Sequence, residues 1–135
     1  MSVRSTLATA ALLAGALVSD IAGSAQAAVG LDLHVVRPAE GESVAAGGVL
    51  KVSGSASDRG YPEPIMIDSV TVSIDGGPEI PAELRPGLPT TRTVFLFELR
   101  TPAPAVVGAH RVRVTATNDQ LRTLSKSVQF FVVNQ

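Results

Sequence analysis

Six stretches of this chain alternate apolar and polar residues with a period of two, and nothing else in the sequence constrains the fold as strongly. "LDLHVV" (31–36) puts Leu31, Leu33 and Val35 on one face. "VLKVSGSAS" (49–57) puts Leu50, Val52, Gly54 and Ala56 on one face, with Lys51, Ser53 and Ser55 opposite. The same rhythm runs through "SVTVSID" (69–75), "TVFLFEL" (93–99), "AHRVRVTAT" (109–117) and "SKSVQFFVV" (125–133). Successive side chains of a strand point to opposite faces, so each stretch can bury one row and wet the other. Turn signals separate them. "IDGG" (74–77) is a hairpin signal, because Asp-Gly adopts the positive φ of tight turns. "RPAEGES" (37–43) and "VAAGG" (44–48) separate the first two strands. "PGLP" (86–89) and "TPAPAVVG" (101–108) read as Pro-rich loops, and "TNDQ" (117–120) as a turn. No stretch beyond residue 27 carries a 3.6-residue period. The pattern predicts an all-β sandwich of about seven antiparallel strands in two sheets with Greek-key connections. A single open sheet would leave one apolar face wet, at about 25 cal/mol per Å². The small residues of "SGSAS" (53–57) are expected to let the two sheets approach at Gly54 and Ala56.

Residues 1–27 read differently. Arg4 precedes the apolar run "LATAALLAGALV", and "AQA" follows at Ala25–Ala27. A positive start, an apolar middle and an A-x-A end describe a secretory signal peptide, with cleavage expected between Ala27 and Ala28. The run is shorter than the ~20 residues that span a bilayer, and Asp20 interrupts it. Residues 28–135 then form one domain, secreted, periplasmic or displayed at the cell surface, with no membrane span after cleavage. The chain has no cysteine, which excludes a disulfide scaffold, thiol chemistry and lipoprotein processing. With 11 Lys+Arg against 12 Asp+Glu, the near-balance argues against a general nucleic-acid or anionic-membrane binder.

In order along the chain, "VVRPAEGESV", "VLKVSGSASD", "IDSVTVSIDGG", "FLFEL", "GAHRVRVTATND" and "SVQFFV" resemble the bacterial Ig-like domain pattern. The resemblance extends over nearly all of residues 28–135. It implies an extracellular seven-strand sandwich used as a spacer, adhesion or accessory module. That family usually sets the module beside another domain, whereas this sequence carries a single unit. The chain has no Trp and no Cys, so it is not an antibody-type member.

Candidate sites lie at the ends and on one face. Asp58 follows the second strand, while Asn118 and Asp119 follow the penultimate one. In a sandwich those two connections share an end, so Asp58, Glu63, Asn118 and Asp119 are expected to approach one another. Oxygen ligands from two loops suit Ca²⁺, which takes about six to eight. The set falls short of that count and contains no D-x-D-x-D-G loop. The competing reading is that Asp58 and Asn118 bond the backbone as Asx turns. Arg111 and Arg113 point outward two residues apart, with Arg100 and Arg122 expected nearby. They offer a basic face to an acidic glycan or an acidic partner. The alternative is a solvated face balanced by Glu98 or Asp68. Tyr61, in "DRGYPEPIM" (58–66), is either an exposed tip contact or a lid on the core. Sugar binding by stacking is disfavoured, since the chain has one Tyr and no Trp. His110 shares the parity of Val112 and reads as structural, and His34 falls on an edge strand. Neither G-x-S-x-G nor H-E-x-x-H occurs. The expectation is a non-catalytic module that binds a protein or cell-surface partner through loops or a strand edge. A calcium-stiffened stalk unit and a non-catalytic subunit of an extracellular enzyme are the alternatives.

Overall fold

The computed structural model describes residues 30–59, 65–88 and 91–134, so the leading segment 1–27, with its expected cleavage site, lies outside the described residues. Nine strands follow in order: β1 (Leu31–Arg37), β2 (Ser43–Ala45), β3 (Val49–Asp58), β4 (Ile67–Ile74), β5 (Ile80–Pro81), β6 (Glu83–Leu88), β7 (Thr91–Pro102), β8 (Gly108–Asn118) and β9 (Thr123–Val133). They form two sheets, ordered β2-β9-β8-β4-β5 and β1-β3-β7-β6. Sheet neighbours such as β3 with β7 and β4 with β8 are distant in sequence, which is Greek-key connectivity.

The six alternating stretches all become strands. The additional three are β2, β5 and β6. Two are only two or three residues long, too short for any periodicity to register. β6 runs through Pro86 and Gly87, part of the stretch expected to be a loop. Pro lacks a ladder donor, but the outer side of an edge strand needs none. Not all pairing is antiparallel, because β2 runs parallel to β9, with Phe131, Val132 and Val133 opposite Ser43, Val44 and Ala45.

The core is the sum of the inward rows. Leu33, Leu50, Val52, Val72, Val112, Val114 and Phe130 are fully buried between the sheets. The hairpin after β4 forms as its sequence demands, with Asp75 at φ 52° and Gly76 at φ 74°. Gly54 is required for a reason other than the expected one. A Cβ there would lie 1.9 Å from the His34 carbonyl oxygen and 2.8 Å from Phe97 Cζ. His34 and Phe97 belong to β1 and β7, the strands flanking β3 in its own sheet. The close approach is therefore lateral, within one sheet, not between the two sheets.

The sheet borders are mostly blunted. β2 and β5 are short, and Pro81 and Pro86 sit on border strands. On β9, Lys126 pairs with Val114 and so shares the inward parity of Val128 and Phe130, yet it is exposed. A charged residue on that row disfavours addition of another strand.

Candidate functional site

Two polar constellations emerge from this framework, one inside the sandwich and one on its surface. The inner one sits where β3 ends and the β8–β9 turn begins. Asp58 continues the inward row of Leu50, Val52 and Ala56, and Asn118 continues that of Val112, Val114 and Ala116. Both are buried. Asn118 Nδ2 donates to Asp58 Oδ2 at 2.8 Å. Asn118 Oδ1 accepts the backbone N–H groups of Gln120 and Arg122, each at 2.9 Å. The i+2 bond is an Asx turn. The turn presents Leu121 at φ 66°, a residue 80% exposed. Asp119 is exposed, and its N–H donates to the Met66 carbonyl, tying this turn to the β3–β4 connection. The two connections thus share an end, and Asp58 and Asn118 meet there. The amide faces the carboxylate with its N–H, and both lone-pair directions of its oxygen are engaged by the backbone. Among the described residues no group of three or more His, Asp or Glu side chains is placed to hold a metal ion. Tyr61 and Glu63 lie outside the described residues.

The second constellation is a groove of about 520 Å³ on the outer face of the five-stranded sheet, lined by Ser73, Asp75, Gly76, Arg111, Arg113 and Ser127. Register explains the gathering: Arg113 lies opposite Ser127 on β9 and Ser73 on β4. Asp75, at the start of the hairpin turn, accepts the Arg111 backbone N–H on Oδ1 at 2.9 Å. Its Oδ2 lies 2.6 Å from His110 Nδ1. The other ring nitrogen, Nε2, lies 2.7 Å from the Val106 carbonyl. A neutral imidazole has one N–H, so only the imidazolium satisfies both acceptors. The ring also stacks on Phe130, with centroids 5.7 Å apart. The hydrogen bond to Asp75 leads the effects that hold the His110 pKa above the ordinary histidine value, with the Val106 carbonyl adding to it. For Asp75, burial pushes upward, but the bonds from His110 and the Arg111 N–H outweigh it and leave the carboxyl below its usual range.

The cations of this groove are not alike. Arg113 reaches Glu79 at 3.3 Å, and Thr71 donates to the other oxygen of that carboxylate. The Arg111 guanidinium meets no carboxylate among the described residues. Arg100 is not near them, since it lies on β7 in the other sheet and pairs with Glu98 at 3.0 Å. Glu98 therefore balances Arg100 and Arg85 instead of this face. Arg122 lies in the β8–β9 turn at the far end of β8. The partnership of Asp75 with His110 was missed in the sequence. The only available signal was that a turn after β4 and the start of β8 fall at the same end.

No protein-family model matches the chain, and no curated protein matches it. Among solved structures, it is similar to the fibronectin(III)-like modules of Clostridium thermocellum CbhA, with a TM-score of 0.53 and 22% identity over 78% of this chain. It is also similar to the sulfane dehydrogenase SoxCD of Paracoccus pantotrophus, with a TM-score of 0.50 and 19% identity over 70% of this chain. The chain spans 48% of the CbhA structure and 23% of the SoxCD one. At these identities the likeness concerns the fold, an Ig-like and fibronectin III-like β-sandwich. Among the described residues no helix is long and apolar enough to cross a membrane.

Proposed function

We propose that this chain is a secreted, non-catalytic Ig-like module that binds a protein or cell-surface partner, or gives structural support, at the bacterial cell envelope. The observation that carries this reading is how the reactive side chains are used. Asp58 is buried against Asn118, and His110 is held between Asp75 and Val106. Each pair serves the fold. What supports a binding role is the groove on the outer face of the five-stranded sheet, where the Arg111 guanidinium is open to solvent. The A-x-A segment at Ala25–Ala27 supports export.

The test is fractionation of cells expressing the tagged chain, N-terminal sequencing of the product, and cross-linking in intact cells. The expected product begins at Ala28, lies outside the cytoplasm, and gives one saturable cross-linked species. An uncleaved cytoplasmic protein would overturn the proposal, and an exported one with no cross-link would overturn its binding arm.

A further inference from the structure

The groove on the five-stranded sheet has a charge asymmetry that specifies an occupant. Its two acidic neighbours are already engaged. Both Asp75 oxygens accept from His110 and the Arg111 N–H, and both Glu79 oxygens accept from Thr71 and Arg113. Arg111 remains as an uncompensated guanidinium among the described residues, and the exposed Ser127, level with Arg113, adds a hydroxyl to the same groove. Arg111 and Arg113 lie two residues apart on one strand, so their side chains emerge about 6.7 Å apart on one face. That is also the spacing of alternate side chains in any extended peptide. Beyond Arg111 the same face continues to Ala109, whose partner Phe131 is 37% exposed.

We propose that this face binds an extended acidic peptide segment of a partner protein, with the pattern acid-x-acid-x-apolar. One carboxylate opposes the uncompensated Arg111, the other takes the N–H groups that Arg113 does not spend on Glu79, and the apolar side chain rests on Ala109 and Phe131. Arginine forks donate paired N–H···O bonds to carboxylates, which fixes both position and register. The inference rests on the binding-module reading and names the partner of that surface.

The test uses the purified protein and a fluorescein-labelled peptide with the core Glu-Thr-Glu-Thr-Leu, read by fluorescence anisotropy. Its isomer Glu-Glu-Thr-Thr-Leu has the same charge and a broken spacing. The alternating peptide is expected to bind about tenfold more tightly than the isomer, with Arg111→Gln losing about tenfold and Arg113→Gln, whose charge Glu79 already shares, about threefold. Phe131→Ser should weaken binding about threefold, and Arg111→Lys should restore part of what Arg111→Gln removes. The two arginine side chains are exposed, so their variants should melt with the parent protein. Phe131 is only 37% exposed, so Phe131→Ser is compared at a temperature well below its own melting point. Equal affinity for the two isomers, or undiminished binding by Arg111→Gln, would overturn the proposal. So would tighter binding of polygalacturonate through the same arginines, which would assign the face to an acidic polysaccharide. The module reading fails separately, on the fractionation and cross-linking result.

Discussion

Gly54→Ala tests the packing argument at its tightest point. The added methyl would sit 1.9 Å from the His34 carbonyl oxygen and 2.8 Å from Phe97 Cζ, against a floor near 3.0 Å for real contacts. Relief requires β1 to move away from β3 by roughly 1 Å at a site where backbone, not a flexible side chain, is the obstacle. Val35 pairs with Gly54 at that point, so the movement strains the ladder of an outer strand that has no second partner in its sheet. Overpacking alone costs about 1–3 kcal/mol, and each weakened ladder bond adds about 1 kcal/mol. The expected loss is about 3–5 kcal/mol, a fall in Tm of roughly 12–30 °C for a domain of this size. Thermal melts by circular dichroism read it directly. A double-mutant cycle with Phe97→Leu separates the two contacts. Shortening the ring should recover about 1 kcal/mol in the Gly54→Ala background, because it clears Cζ and leaves the carbonyl clash in place. If Gly54→Ala melts within about 2 °C of the parent protein, the claim that lateral strand packing dictates glycine here is wrong.

The His110–Asp75 pair makes stability depend on pH from both sides. A histidine whose pKa is raised on folding contributes fully below about pH 6.5, and that contribution disappears as pH rises through the folded value. A carboxyl whose pKa is lowered contributes above about pH 4 and loses its effect as pH falls through the folded value. Melting temperature should therefore peak between those limits, and His110→Gln should flatten the alkaline side. An unchanged profile in that variant would remove His110 from the account. Asn118→Ala deletes one bond to the Asp58 carboxylate and two to backbone N–H groups, so it should cost about 3–5 kcal/mol in denaturant titration. Asn118→Ala within 1 kcal/mol of the parent protein would show that this corner does not organise the turn. Melts in Ca²⁺ and in chelator separate the two readings of Asp58. A closed hydrogen-bonded corner predicts equal Tm, whereas a rise abolished by Asp58→Asn would make it a metal site.

The long strands were legible because each carries a complete alternating row. "AHRVRVTAT" gives β8 nearly residue for residue, down to which side of the strand is buried. The short border strands were not, since a Pro-containing stretch such as "ELRPGL" has the composition of a loop and becomes a strand only because β7 offers it an edge. Parity also carried information about Asp58 and Asn118. Extending the inward rows by one more step places both in the interior, where a polar pair must satisfy itself. Their mutual bond spans 60 residues of sequence, however, and no local pattern encodes it. Arg111 and Arg113 were recognisable as an outward pair. Which carboxylates surround them depends on sheet order, and sheet order is a property of the whole chain.

The parallel pairing of β2 with β9 bears on how this fold would answer a pulling force. Leu31 lies level with Asp58 at one end of β3, and Val133 bonds Ala46 near the other. The described termini therefore lie about 30 Å apart, at opposite ends of the sandwich. Tension between them runs along the strands. It drives β2 and β9 past each other lengthwise, so their cross-bonds are stretched together instead of being opened one after another. A chain threaded in this way would resist a pull along its strands better than one across them.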